Sequence, residues 1–177
     1  MIITRLLTRS DSQTYRFVRL ECLKNHPDNF GTLFDEENKN PQLVFEKYLN
    51  DPKSENFMYG SFDGDKCIGI CGFVKGKRIK TKHRGEIVQM YVNEKYSGKG
   101  IGKELLTKAI KKAFENNEIE QLVLSVVLSN TEANNLYERV GFVEYGIIRD
   151  YFKYKNKTSD QRFMILERKN FKFKENK

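Results

Sequence analysis

The sequence predicts one folded domain of the mixed α/β (α+β) class, on three observations. First, 177 residues correspond to about one domain, and 13 Phe and 9 Tyr among 38% hydrophobic residues supply a core that a disordered chain lacks. Second, the apolar pattern switches repeatedly between strand-like runs and helical spacing. Third, the three prolines (Pro27, Pro41 and Pro52) all lie in the first third, and no repeat or Ser/Gly linker divides the chain.

The elements follow in order. Residues 2–7 (IITRLL) read as a first strand. Ser10 and Asp11 are N-cap candidates for a helix to about Lys24, with Tyr15, Phe17, Val18, Leu20 and Cys22 at helical intervals. Pro41 suits the first turn of a second helix over about 41–50, where Val44, Phe45, Tyr48 and Leu49 form the stripe. Residues 57–62 and 67–74 flank Asp63-Gly64-Asp65-Lys66, a hairpin signal because Asp-Gly tolerates positive φ. Residues 85–92 (GEIVQMYV) form the next strand.

From Gly100 the period changes. Ile101, Leu105, Leu106, Ala109, Ile110, Ala113 and Phe114 mark an amphipathic helix ending near Asn116. Residues 121–127 (QLVLSVV) are a continuous apolar run, the kind buried on both faces. Ser129-x-x-Glu132 reads as a capping box for a short helix with Ala133, Leu136 and Val140 buried and Gly141 as its C-terminal cap. Strands over about 142–150 and 160–167 close the chain.

Composition narrows the function classes. No window approaches the roughly 18 apolar residues of a membrane span, and Arg5, Arg9, Asp11 and Arg16 occupy the place of a signal-peptide core, so a cytoplasmic location without membrane contact is expected. Cys22, Cys67 and Cys71 are read as reduced core thiols. The formal charge of +8 is local: residues 75–84 (KGKRIKTKHR) and 168–177 carry it, and the rest of the chain is slightly acidic. A solvated loop explains the lysine run best, so nucleic acid is disfavoured as a partner. His26 and His83 have no partner at metal-ligand spacing, so no metal is expected.

Gly98-Lys99-Gly100-Ile101-Gly102-Lys103 lies between a strand and a helix, where backbone N–H groups and the helix dipole favour phosphates. It is not a dinucleotide fingerprint, which would need glycine at 103 or 105, where Lys103 and Leu105 stand. Nor is it a Walker A loop, for which Ser97 and Glu104 are both wrong.

The order strand, G-x-G-x-G, helix, strand, then Asn130-x-x-Ala133-x-x-x-Tyr137-x-x-x-Gly141-Phe142 resembles the GCN5-related N-acetyltransferase (GNAT) superfamily, most strongly from Glu86 to Phe142. The resemblance implies a mixed, mostly antiparallel sheet of six to seven strands with about four helices, splayed between the fourth and fifth strands. It also implies one domain over residues 1–170 with a basic tail at 171–177. The activity implied is acetyl transfer from acetyl-coenzyme A to a primary amine, by direct attack in a ternary complex.

By position, the family's pyrophosphate segment maps to Ser97, Gly98, Lys99, Gly100, Ile101 and Gly102, followed by Lys103. Ser97 replaces the usual Arg or Gln, and Lys99 and Lys103 are expected to supply charge. The bulged fourth strand maps to Met90, Tyr91 and Val92, whose backbone would meet the pantetheine arm and the oxyanion. Asn130 and Asn134 fall in the second cofactor motif; Asn130 matches the asparagine that bonds the pantetheine, and it equally suits a plain helix N-cap. Tyr137 matches the general acid beside the sulfur, and Glu86 sits where some members carry the general base.

The family's acceptor groove maps to residues 21–37 and a loop at 149–160, where Glu21, Asp28, Asp35, Glu36, Glu37, Asp150 and Asp160 lie with Tyr151, Phe152 and Tyr154. Carboxylates beside aromatics would suit a cationic amine such as a polyamine. An amino acid or a peptide N-terminus fits the family equally, and a homodimer is left open. The alternatives are a non-catalytic acyl-coenzyme A sensor and a ribosome- or RNA-associated protein acetyltransferase.

Overall fold

The computed structural model describes residues 1–172. Strand β1 (Ile2–Leu6) leads into α1 (Ser12–Asn25), α2 (Phe34–Asn38) and α3 (Val44–Asn50). Strands β2 (Phe57–Asp63), β3 (Lys66–Lys75) and β4 (Arg84–Val92) follow, then α4 (Ile101–Glu115), β5 (Gln121–Val127), α5 (Thr131–Val140), β6 (Val143–Tyr154) and β7 (Lys157–Glu167). One sheet runs β1-β2-β3-β4-β5-β7-β6, and among the described residues its only parallel pair is β4 with β5. This is the mixed, mostly antiparallel architecture that the sequence predicts.

Helix α4 buries all seven residues of its predicted stripe against one face of the sheet, beside Ile68, Phe73, Leu122, Leu124 and Met164. Helices α1 and α3 cover the other face with Tyr15, Val18, Cys22 and Phe45, but only over β2, β3 and β4. Among the described residues no α-helix lies on that side of β5, β7 and β6, and the short turn Pro27–Asn29 after α1 contacts β5. Burial pushes the thiols of Cys22 and Cys67 up to about 11 and that of Cys71 up to about 12, so all three stay protonated.

Local signals set several boundaries. Gly64 takes φ +57° in the β2–β3 hairpin, and Gly141 takes φ +113° at the end of α5, both conformations that disfavour other residues. Asp11 precedes α1, yet its carboxylate accepts from the Thr8 N–H and pairs with Arg5, which lowers its pKa to about 2.

Four local expectations are corrected. Pro41 lies ahead of α3, whose start is set instead by the Glu46 carboxylate accepting from the Leu43 N–H and clamped by Arg16. Ser129 does not cap α5; Asn130 does, its side-chain oxygen accepting from the Ala133 N–H at 3.2 Å. The last two strands extend to Tyr154 and back from Lys157, so most of 149–160 is a strand hairpin rather than a loop. A fifth helix, α2, appears where the sequence shows no apolar stripe.

Phe171 packs on Phe114 with ring centroids 5.9 Å apart, which brings the first residue of the expected basic tail into the core. Residues 173–177 of that tail lie outside the described residues. Among the described residues no helix is long and apolar enough to cross a membrane.

Candidate functional site

Strands β4 and β5 pair only over Arg84↔Gln121, Gly85↔Leu122 and Glu86↔Val123. Beyond Glu86 they part. On its other edge β4 is bulged: from Val88 to Tyr91 it takes three steps against the two steps of β3 from Gly72 to Ile70. Gln89 carries the bulge at φ +53°, a conformation that costs a non-glycine residue about 1–2 kcal/mol. The Tyr15 hydroxyl holds it by donating to the Gln89 side-chain oxygen at 3.0 Å.

The parting opens a cleft of about 880 Å³ that runs from the glycine loop to Tyr137. Met90, Tyr91 and Val92 line it together with Ser125, Val126 and Leu136. The Tyr91 ring itself belongs to the core under α1, where its hydroxyl donates to Glu21 at 2.9 Å, so backbone is what Tyr91 offers the cleft.

The glycine loop is shaped by conformation rather than by lack of room. Gly98 and Gly100 take φ of +74° and +79°, and a Cβ on either would meet no atom within 4 Å. Gly100 caps α4, and the first helical hydrogen bond runs from the Glu104 N–H to the Gly100 carbonyl. The N–H groups of Ile101, Gly102 and Lys103 therefore have no partner within the helix, at its positive end. A Cβ on Gly102 would sit 3.4 Å from both Met90 and Leu136, in ordinary contact with the cleft wall. Ser97 and Lys103 line the cleft. Lys99 does not, because its ammonium lies over the Tyr96 ring at 4.9 Å.

Asn130 lines the cleft with its side-chain oxygen already committed to the cap of α5. Asn134 is turned inward. Its amide nitrogen donates to the carbonyls of Val127, Leu128 and Asn130, and its oxygen accepts from Arg162. These bonds tie the end of β5 to the start of α5 and so position Tyr137 one turn later.

Tyr137 is buried, 6% exposed, with its ring 6.1 Å from Phe142, and it still borders the cleft. Burial, with a smaller contribution from Cys71, raises its phenol well above the ordinary value, so it stays protonated. No hydrogen bond to its hydroxyl is made among the described residues.

Glu86 is not in the cleft wall. It occupies the last paired rung, where Ile87 packs toward α4 and Glu86 points to the opposite face. It is exposed there and makes no ion pair among the described residues, while partial desolvation raises its carboxyl pKa.

The two predicted walls of the acceptor groove do meet. A Cβ on Gly31 would lie 2.7 Å from the Phe152 ring, so the β6–β7 hairpin packs directly on the chain between α1 and α2. Four of the seven carboxylates there are engaged: Glu21 by Tyr91 and Asn93, Glu36 by the Leu33 N–H, Glu37 by Arg19, and Asp160 by the Asp150 N–H and Arg149. Asp28, Asp35 and Asp150 are exposed and do not line the cleft.

Among the cleft residues that the sequence reading did not name, three add polar or aromatic groups. His26 lies 3.5 Å from Glu94 at the mouth and Phe30 comes from the connection after α1, both within the 21–37 segment expected to form the acceptor groove, and Arg139 adds a cation from α5. Arg139 alone reads as a surface charge.

A family model described as the acetyltransferase (GNAT) family matches residues 17–142. The chain is 31% identical over 129 residues to N-alpha-acetyltransferase MAK3 of Arabidopsis thaliana, covering 73% of this chain and 67% of that protein. It is 28% identical over 127 residues to spermidine N(1)-acetyltransferase of Vibrio cholerae, covering 71% of each. Its fold matches yncA of Salmonella typhimurium, solved with its cofactor acetyl-CoA, with a TM-score of 0.77 over 94% of each chain at 16% identity.

Proposed function

The chain belongs to the acetyltransferase (GNAT) family and is an acetyl-CoA-dependent N-acetyltransferase, and we propose that it acetylates a primary amine by direct attack with both substrates held between β4 and β5. The observation that carries this reading is the parting of the two strands after Glu86, which joins the N-terminus of α4 and Tyr137 in one cleft.

The residues present fit acetyl-CoA, which supplies the thioester whose carbonyl carbon accepts the amine. Gly98 and Gly100 bare their backbone, and the N–H groups of Ile101, Gly102 and Lys103 face the pyrophosphate, with the Lys103 and Arg139 cations alongside. Ser97 contributes no charge, so backbone donors do most of the gripping. Beyond Glu86 the β5-facing edge of β4 has lost its partner strand, which leaves Met90, Tyr91 and Val92 free to bond the amides of the arm and the developing oxyanion.

Tyr137 serves the leaving group. Its proton is retained across the working pH range and its hydroxyl is not spent on the protein, so it donates to the departing sulfur. Asn134 acts as a positioning residue for Tyr137 rather than through contact with the cofactor. Glu86, on the opposite face at the base of the split, takes the amine's proton through water. Its raised pKa brings a carboxylate closer to neutrality, which improves it as a base.

The test is calorimetric titration with acetyl-CoA followed by thiol release against peptides, polyamines and amino acids. Binding with thiol release on one amine class supports the proposal. Binding with no release on any of them favours an acyl-CoA sensor, and no binding refutes the assignment of the loop.

A further inference from the structure

The Tyr137 hydroxyl makes no hydrogen bond among the described residues, so its direction is set by the ring contact with Phe142 and by how α5 is seated on the sheet. Helix α5 has ten residues, too few to hold its place without packing. Only two of those residues are buried, Asn134 and Tyr137. The oxygen of Asn134 is satisfied from outside the helix, by Arg162 on β7.

Arg162 stands opposite Val126 of β5, which lines the cleft, and directly opposed residues on neighbouring strands share a face. From there its guanidinium reaches three acceptors. Nη1 donates to the Asn134 oxygen at 3.0 Å and lies 2.8 Å from a carboxylate oxygen of Glu138, and Nε donates to Glu144 at 2.7 Å. Asn134 and Glu138 are four positions apart and share a face of α5, and Tyr137 falls between them in the chain. Glu144 lies on β6, beyond the Gly141 turn that ends the helix. One side chain, 15% exposed, thus grips the turn that carries Tyr137 on both sides and ties it to the strand that follows.

We propose that Arg162 is a positioning residue for acetyl transfer, and that through Asn134 and Glu138 it holds α5 where the Tyr137 hydroxyl meets the departing sulfur. The proposal rests on the acetyl-transfer reading above and adds to it the residue that sets the acid in place. The geometry calls for a guanidinium. Its rigid fork serves three acceptors at once, whereas a lysine ammonium is a single point on a flexible stem. Without Arg162 the buried Asn134 oxygen loses its donor, and Glu138 and Glu144 lose the cation that both contact. Relief comes from a shift of the helix, and about 1 Å of misplacement costs on the order of 100-fold in rate.

The experiment compares wild type with Arg162→Lys, Arg162→Gln, Tyr137→Phe and the double variant Arg162→Gln with Tyr137→Phe. Thiol release at saturating acetyl-CoA, with spermidine and a short peptide as acceptors, reads kcat and KM. Thiolate absorbance reads the thiol pKa of bound coenzyme A, which needs no acceptor, because a hydroxyl donating to the thiolate lowers that pKa. Arg162→Gln is expected to lower kcat by about 10- to 100-fold with acetyl-CoA affinity unchanged, and to raise the bound thiol pKa. Arg162→Lys, which keeps a cation but not the fork, is expected to fall between. Added to Tyr137→Phe, Arg162→Gln should lower kcat by less than about twofold more, because the group that it positions is already gone.

Independent losses, with Arg162→Gln as harmful without the Tyr137 hydroxyl as with it, overturn the proposal and leave Arg162 a structural ion pair. So do an unaltered kcat and thiol pKa in Arg162→Gln, and Arg162→Lys carries the same cycle if Arg162→Gln does not fold. Binding of acetyl-CoA without thiol release would instead remove the acetyl-transfer reading, while the bound thiol pKa still decides whether Arg162 sets Tyr137 against the sulfur. No binding of acetyl-CoA removes both.

Discussion

Replacing Tyr137 by Phe separates chemistry from packing at the centre of the cleft. The hydroxyl makes no hydrogen bond among the described residues, so its removal leaves no partner stranded and costs stability less than about 0.5 kcal/mol. The ring contact with Phe142 survives. Turnover should fall about 100-fold, within the range for losing a general acid, with acetyl-CoA affinity unchanged. Tyr137→Ala is the contrasting perturbation. It empties a buried ring and should destabilise by about 3–5 kcal/mol, which would lower activity for an unrelated reason. Calorimetry, a denaturant melt and thiol release on both variants make the comparison. Because burial raises the phenol pKa, wild-type turnover should show no alkaline loss attributable to Tyr137 up to about pH 10. Full turnover in Tyr137→Phe would remove the residue from the mechanism.

Three further outcomes are expected. Gly100→Ala has room for its methyl but must adopt φ +79°, so it should cost about 1–2 kcal/mol in a melt and weaken acetyl-CoA, whereas wild-type stability and affinity would mean the conformation is not demanded. Glu86→Gln should lower kcat/KM at neutral pH at least tenfold and abolish the acidic limb of its pH profile; an unchanged profile would assign the base elsewhere. Asp11, held near pKa 2 by Arg5 and the Thr8 N–H, contributes stability that is present above about pH 4, its unfolded value, and lost as pH falls through about 2. Asp11→Asn should therefore be less stable by about 2 kcal/mol at pH 7, and the gap should close in acid; a gap independent of pH would show that the ion pair is not its source.

Much of the scaffold was legible because its causes are local. The stripe from Ile101 to Phe114 demands one buried helix face, and Gly100 and Gly141 mark backbone that only glycine adopts cheaply. The run 121–127 misled, because its apolar residues suggest two covered faces, whereas Gln121 and Val123 are half-buried and Ser125 is exposed on the face that no α-helix covers. The start of α3 was misplaced because Pro41 is permissive for a first turn, whereas the deciding contact is Glu46 with Arg16, thirty residues away. Asn130 and Ser129 are both good caps, and only the path of the chain leaving β5 selects between them.

The sequence by itself determined the order of the strands and of every α-helix but α2, the glycine loop at the head of α4 and the tyrosine one helix beyond it, since each depends on residues within a few positions of one another. Only the tertiary structure decided where β4 leaves β5, that Asn134 faces inward, that the carboxylates near the groove are mostly spent, and that among the described residues no α-helix covers one face of β5, β7 and β6. Those outcomes depend on pairing partners brought together across the chain, such as Gln89 with Tyr15 and Glu21 with Tyr91, and no spacing along the sequence encodes which donors and acceptors will meet.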